Sequence, residues 1–248
     1  MISYNMTQPD IEKMNPDTAI LPFGSLEQHG AHLPVSTDCI TTEAFANRLA
    51  SQMNAFQIPT IPISNCREHM GKMGSVWMNP DTFYNVVLDI CGSLKEQGFK
   101  KVVILQGHGG IFVLTPAVRQ LNATLNPDLM VCVVQYYDYL DAYKQAGIIE
   151  SDECLHADEL ETSVVMHLRG DLVKTDKIVD HVPDVARPYL SYGSIFCACP
   201  DGVWGMPSLA SAEKGKKILE MGTTLMVKSA NAAFEYMENK KPVGYSKF

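Results

Sequence analysis

Residues Ala19 to Asp38 read AILPFGSLEQHGAHLPVSTD, an apolar run that breaks into a glycine, a serine and a crowd of acids and histidines. Ala19-Ile20-Leu21-Pro22-Phe23 has the length and composition of a buried strand end. Glu27, His29, His32 and Asp38 follow it. Glu27 and His29 are two apart, so on an extended backbone they point to the same side. Carboxylate oxygens and imidazole nitrogens together suit zinc or manganese. Asp38 also stands where a helix begins, which on a plainer reading makes it an N-cap. Spacing alone leaves both a metal site and a polar strand-end loop open.

Outward from this stretch, apolar runs alternate with helical patterns. Strands are expected near 18–24, 56–63, 101–105 and 130–135. Helices are expected near 39–54, 81–97, 111–125, 138–146, 158–169 and 209–238. The last of these presents Ile218, Gly222, Leu225, Ser229 and Ala233 on its inward face. Residues 172–208 read as loop with short strands. Such alternation implies an α/β fold with a mostly parallel central sheet covered on both faces, in one domain over residues 1–248. Active sites of these sheets lie at the carboxyl ends of the strands. His29, His69 and His108 each follow one of the first three strands, and that convergence is a stronger signal than any single motif.

The 248 residues, 46% hydrophobic and 19% charged, describe an ordinary globular chain. A net charge of −8 argues against nucleic acid or an anionic membrane surface as partner. The first residues carry acids and no apolar core, unlike a signal peptide, and no apolar run reaches membrane-spanning length. Seven cysteines without a CxxC pair fit small buried hydrophobes in a reducing cytoplasm, although Cys197 and Cys199 could also be thiolate ligands.

Gly107-His108-Gly109-Gly110 lacks the spacing of a P-loop, and glycines around a histidine fit a ligand whose backbone passes close to a metal. In Glu153 to Ser163, ECLHADELETS, Asp158 and Glu159 read as an acidic first helical turn. His156 and Glu161 fit that reading less well, because the helix turns toward the core at Val164 and Val165. In the loop 64–80, Glu68 and His69 lie where the site would be covered. His69 is either a substrate contact or a surface histidine, and Trp77 lines either the pocket or a subunit contact. His32 reads as a loop-fixing partner.

GSLEQHGAHLPVSTD, GHGG and HADELETS, in that order and at that separation, resemble the creatininase (creatinine amidohydrolase) family, and GVWGMPSLASAEKGKKILE resembles its C-terminal signature. The resemblance spans about Leu21 to Glu220. It implies a three-layer α/β/α sandwich, a centre of two divalent ions (zinc or manganese), a small-molecule substrate and a homohexamer. By resemblance Glu27, His29, Asp38, His108 and Glu161 match the metal ligands, with Asp38 as the bridge. His156 matches a histidine that moves protons, so His156 and Glu161 are the expected catalytic pair. His69, Trp77, Gly109, Gly110 and Tyr137 are the expected substrate contacts.

The chain also departs from the family pattern. Creatininase carries an additional glutamate ligand where Gly110 stands, and many relatives read NGHGGN where Gln106 and Ile111 flank this motif. Tyr137 and Asp152 occupy the places of tryptophans that close over creatinine, so creatinine is not the expected substrate. Hydrolysis of a non-peptide carbon–nitrogen bond by metal-activated water is the reading implied, with His156 protonating the leaving nitrogen. Opening of a cyclic polyol ketone at a carbon–carbon bond, or metal binding without turnover, are the alternatives.

Overall fold

A computed structural model describes residues 2–239. In chain order the elements are β1 (Ile2–Ser3), α1 (Gln8–Met14), β2 (Thr18–Phe23), α2 (Thr37–Met53), β3 (Phe56–Gln57), α3 (Pro80–Glu96) and β4 (Lys101–Gln106). They continue with α4 (Leu114–Leu125), β5 (Met130–Val134), α5 (Leu140–Gln145), β6 (Cys154–His156), α6 (Glu159–Arg169), β7 (Trp204–Gly205) and α7 (Ala212–Asn239). Five strands form one sheet in the order β1-β3-β2-β4-β5, and every pairing in it is parallel. β6 and β7 pair antiparallel, apart from it.

The strands read as continuous apolar runs because both faces are covered. Ala19, Leu21 and Phe23 of β2 and Val102 and Ile104 of β4 pack against Phe83 and Val87 of α3 and Leu114 and Leu121 of α4. Ile20, Val103 and Leu105 face the other way, against Phe45 and Leu49 of α2, Val164 of α6 and Ile218 and Met226 of α7. The result is the expected three-layer sandwich. No helix among the described residues is long and apolar enough to cross a membrane, and all seven cysteines are free.

Several boundaries differ from the sequence expectation. The second strand shrinks to Phe56–Gln57 plus a lone bridge from Ile61 to Phe23, because Pro59 and Pro62 have no N–H to give a ladder. α2 starts at Thr37 with Ser36 as its N-cap, so Asp38 lies inside the first turn and is not the cap. The helix expected over 138–146 begins as a 3₁₀ turn, Tyr136–Tyr139. On α7 the buried stripe runs Ile218, Gly222, Met226, Ala230 and Phe234. Leu225 and Ala233 are only half-buried and Ser229 is exposed, where it accepts from the Tyr139 hydroxyl at 2.8 Å. The buried stripe carries the larger apolar side chains Met226 and Phe234, whereas the expected one carries the polar Ser229.

The register positions the site. β2 and β4 pair from Thr18↔Lys101 to Phe23↔Gln106 and end level. The chain leaves β2 through α2 on one face and reaches β4 through α3 on the other, so the crevice beside β2 is a topological switch point. Gly107 holds the turn after β4 against this point. Its N–H donates to the Phe23 carbonyl at 2.8 Å, and a Cβ there would overlap the Thr42 hydroxyl. Gly107→Ala is expected to cost about 1–3 kcal/mol through overpacking. Urea unfolding with an unchanged midpoint would show that α2 can yield.

Candidate metal centre

Loops leaving the carboxyl ends of β2, β3 and β4 meet the start of α6 around one buried carboxylate. Glu27 Oε2 accepts from the Ser25 hydroxyl at 2.7 Å. Its Oε1 lies 3.1 Å from His108 Nδ1, 3.3 Å from His69 Nε2 and 3.7 Å from His156 Nδ1. Asp38 faces two histidines at once, with Oδ1 3.2 Å from His29 Nε2 and Oδ2 3.5 Å from His108 Nδ1. Glu161 Oε2 stands 3.6 Å from the same His29 nitrogen. Thus Glu27 with His69 and His108, Glu27 with His29 and His156, and His29 with Asp38 and Glu161 form three overlapping donor groups, and Asp38 joins the first to the last.

The donor set fits divalent ions. Glu27 Oε1, His29 Nε2 and Asp38 Oδ2 are buried without a hydrogen-bond partner, and such atoms are rare unless something else satisfies them. His29 donates Nδ1–H to the Glu27 carbonyl at 3.1 Å, which fixes the ring with Nε2 turned toward Asp38 and Glu161. His156 donates Nε2–H to the Gln28 carbonyl at 2.7 Å and turns Nδ1 toward Glu27. Carboxylates and neutral imidazoles in this mixture suit zinc or manganese.

Burial raises the pKa of Glu27, against the pull of His108. Burial also acts to raise Asp38, but His29 and His108 hold it below the usual carboxylate range. For His29 and His108 burial disfavours charge, yet the carboxylates around each hold both well above the ordinary histidine value. The centre therefore draws positive charge to His29 Nε2 and His108 Nδ1, the atoms a divalent ion would meet. Burial, then neighbouring histidines, hold His69 and His156 well below the ordinary value, so both are neutral at pH 7.

Local structure aims these groups. Ala157 takes a left-handed backbone, φ 49°, at the turn from β6 into α6. Its N–H donates to Glu161 Oε2 at 2.7 Å, so one strained residue orients His156 and Glu161 together. Asp158 is the N-cap of α6, one residue ahead of the first turn where it is expected, and accepts from the Glu161 N–H at 2.9 Å. Glu159 does something else: it is buried, accepts from the Ser151 N–H at 2.8 Å and pairs with Lys214 of α7 at 2.5 Å.

The five expected metal ligands come together, and His156 and His69 join them. His69 is buried, so it is no surface histidine. A cavity of about 800 Å³ opens onto the centre, and His69, Gly109 and Gly110 line it. Trp77 and Tyr137 do not. Trp77 is half-buried off the cavity, and Tyr137 sits behind Gly109 with its hydroxyl buried and unpartnered. Amphipathic character suggested Trp77 and the match to a family lid position suggested Tyr137, but neither says where the ring lies. Asp152 is exposed. Cys197 and Cys199 belong to none of these donor groups.

Sequence reasoning passed over Gln28, whose side-chain amide lies 3.3 Å from His69 Nδ1 and 3.1 Å from His156 Nε2. Its place between Glu27 and His29 was the available signal, masked by strict alternation. Arg67 and Arg187, also on the cavity wall, were not singled out either.

A match to the creatininase family, described as creatinine amidohydrolase, covers residues 4–230. The chain is 28% identical over 221 residues to a creatinine amidohydrolase of Pseudomonas putida, spanning 82% of this chain and 84% of that protein. It is 27% identical over 229 residues to a 3-dehydro-scyllo-inosose hydrolase of Thermotoga maritima, spanning 82% and 73%. A mycofactocin precursor peptide peptidase of Mycobacterium ulcerans is 29% identical over 213 residues, spanning 80% and 78%. Among solved structures, a creatininase with manganese superposes with a TM-score of 0.78 at 25% identity, covering 95% of this chain and 98% of the other. A variant creatininase of the Zn-Zn type superposes at 0.77, also at 25% identity and with the same coverage.

His32 ties the loop after β2 to α6, with Nε2 3.0 Å from the Thr162 hydroxyl. Burial, then the charge of His29, lowers its pKa from 6.5 to about 4. The unfolded chain binds a proton there that the folded chain refuses, so stability falls as pH drops from 6.5 to about 4. His32→Gln is expected to lose less stability than the wild type across that window. Urea unfolding above and within it tests this, and equal losses would contradict it.

Proposed function

The chain belongs to the creatininase family, and from that premise we propose that it is a metal-dependent hydrolase cleaving a carbon–nitrogen bond in a small molecule. The observation that carries the proposal is Asp38, whose two oxygens face different histidines and join two donor groups. In this reading Glu27, Asp38 and His108 hold one divalent ion, zinc or manganese, and His29, Asp38 and Glu161 hold a second. Such ions supply Lewis acidity and lower the pKa of water toward neutrality. The relatives solved with manganese and as a Zn-Zn type support that choice of metals.

The protein's own groups have separate tasks. Gln28 fixes the tautomer of His156, leaving Nδ1 to take up a proton and return it to the leaving nitrogen. Neutrality at pH 7 suits His156 to that task. Glu161, tied to the Ala157 N–H, holds His29 and borders the cavity. Gly109 and Gly110 bring backbone close to the substrate without side chains. Two of the three named relatives, an amidohydrolase and a peptidase, act on amide bonds, which favours carbon–nitrogen over carbon–carbon cleavage. Neither tryptophan of this chain lines the cavity, which supports a substrate other than creatinine. A homohexamer, implied by the family resemblance, is part of the same proposal; light scattering that finds a monomer would remove it.

Metal retention and turnover separate the roles. Asp38→Ala is expected to lose both ions, and His108→Ala to lose metal and activity together. His156→Ala should keep near-normal metal content and lose about 10²–10⁴-fold in turnover on a panel of small amides. Elemental analysis and kinetics on the same preparations check this. Metal-free His156→Ala would make His156 a ligand, and a metal-replete, fully active variant would place the proton donor elsewhere.

A further inference from the structure

His108 is held from both sides. Nδ1 faces Glu27 Oε1 at 3.1 Å and Asp38 Oδ2 at 3.5 Å, while Nε2 lies 2.9 Å from Glu68 Oε1. Glu68 comes from the 3₁₀ turn Arg67–His69 in the loop after β3, an element unrelated to the turn that carries His108. The backbone of His108 is fixed separately, by the Gln106 amide donating to its carbonyl at 2.8 Å. What remains free is rotation of the ring, and Glu68 is the group in contact with its outer nitrogen.

Gly110 makes room for this contact. A Cβ built there would overlap Glu68 Oε1 and the outer nitrogen of His108. The backbone at Gly110 is not left-handed, so the missing side chain is explained by space and not by φ.

We propose that Glu68 is a positioning residue that accepts Nε2–H of His108 and so presents Nδ1 to the metal centre, and that Gly110 is bare to admit it. A carboxylate behind a metal-binding histidine fixes the tautomer and raises the basicity of the ligating nitrogen. It also couples the cavity wall to the centre, because the turn that carries Glu68 borders the cavity beside His69. The inference rests on His108 being a ligand, as proposed above.

The test uses the full-length, zinc-loaded protein with ¹⁵N-labelled histidine, comparing wild type with Glu68→Gln, which keeps shape and loses charge. In the wild type the His108 Nε2–H proton should be observed downfield as a hydrogen bond to a carboxylate. Glu68→Gln should move it upfield and weaken zinc binding about 10–100-fold in competition with a chelator. Unchanged affinity with an unchanged resonance overturns the proposal. Weakened affinity with an unchanged resonance overturns it too, because Glu68 would then act only as a nearby charge. A wild type that takes up no zinc overturns the ligand reading itself, a result distinct from either.

Discussion

Burying Glu27 and Asp38 is the constraint on which the rest of the structure depends. Both carboxylates are withdrawn from water, and among the described residues no lysine or arginine pairs with either. Removing a carboxylate from water costs several kcal/mol even after relaxation, so their neighbours must offset that cost. The Ser25 hydroxyl satisfies one oxygen of Glu27, and four imidazoles turn their nitrogens toward the other carboxylate oxygens. Two of them, His29 and His108, are pushed toward the charged form by the acids they face. Divalent cations at those nitrogens would satisfy the same demand without protons.

The sheet supplies the rigidity this arrangement needs. Because β2 and β4 end in register and the chain runs off β2 and into β4 over opposite faces, their loops emerge side by side at a switch point. Gly107 keeps one loop pressed to α2, whose first turn carries Asp38. α6 enters from the other side, fixed by Asp158 at its cap and by the Glu159–Lys214 pair that joins it to α7. Ligands sit on these anchored elements, whereas Glu68 and His69 come from a loop whose strand has almost no ladder. Both sets border the cavity, His108 and Glu161 from the anchored elements and Glu68 and His69 from the loop.

Much of this was legible in the sequence, for physical reasons. Apolar strands and three- and four-step helices gave the layers, because burial on both faces leaves no other pattern. Histidines after three successive strands marked the site, because strand ends converge. What spacing could not give was direction. Glu27 and His29 alternate as expected, yet Gln28 between them also reaches the centre once the strand has ended. Asp38 satisfied the rule for a cap while lying two residues past the true cap, Ser36, inside the first turn. Trp77 and Tyr137 had suitable side chains but are not among the residues that line the cavity. Glu68 could be seen beside His69, but only the space above Gly110 shows what it touches.

The central claim is that Asp38 stands between two ions. The most direct measurement is anomalous scattering from crystals grown with manganese, collected at the metal's absorption edge. Two peaks per chain are predicted on either side of Asp38, one beside Glu27 and His108 and the other beside His29 and Glu161. A single peak, or peaks that leave Asp38 without a metal contact, would contradict the account.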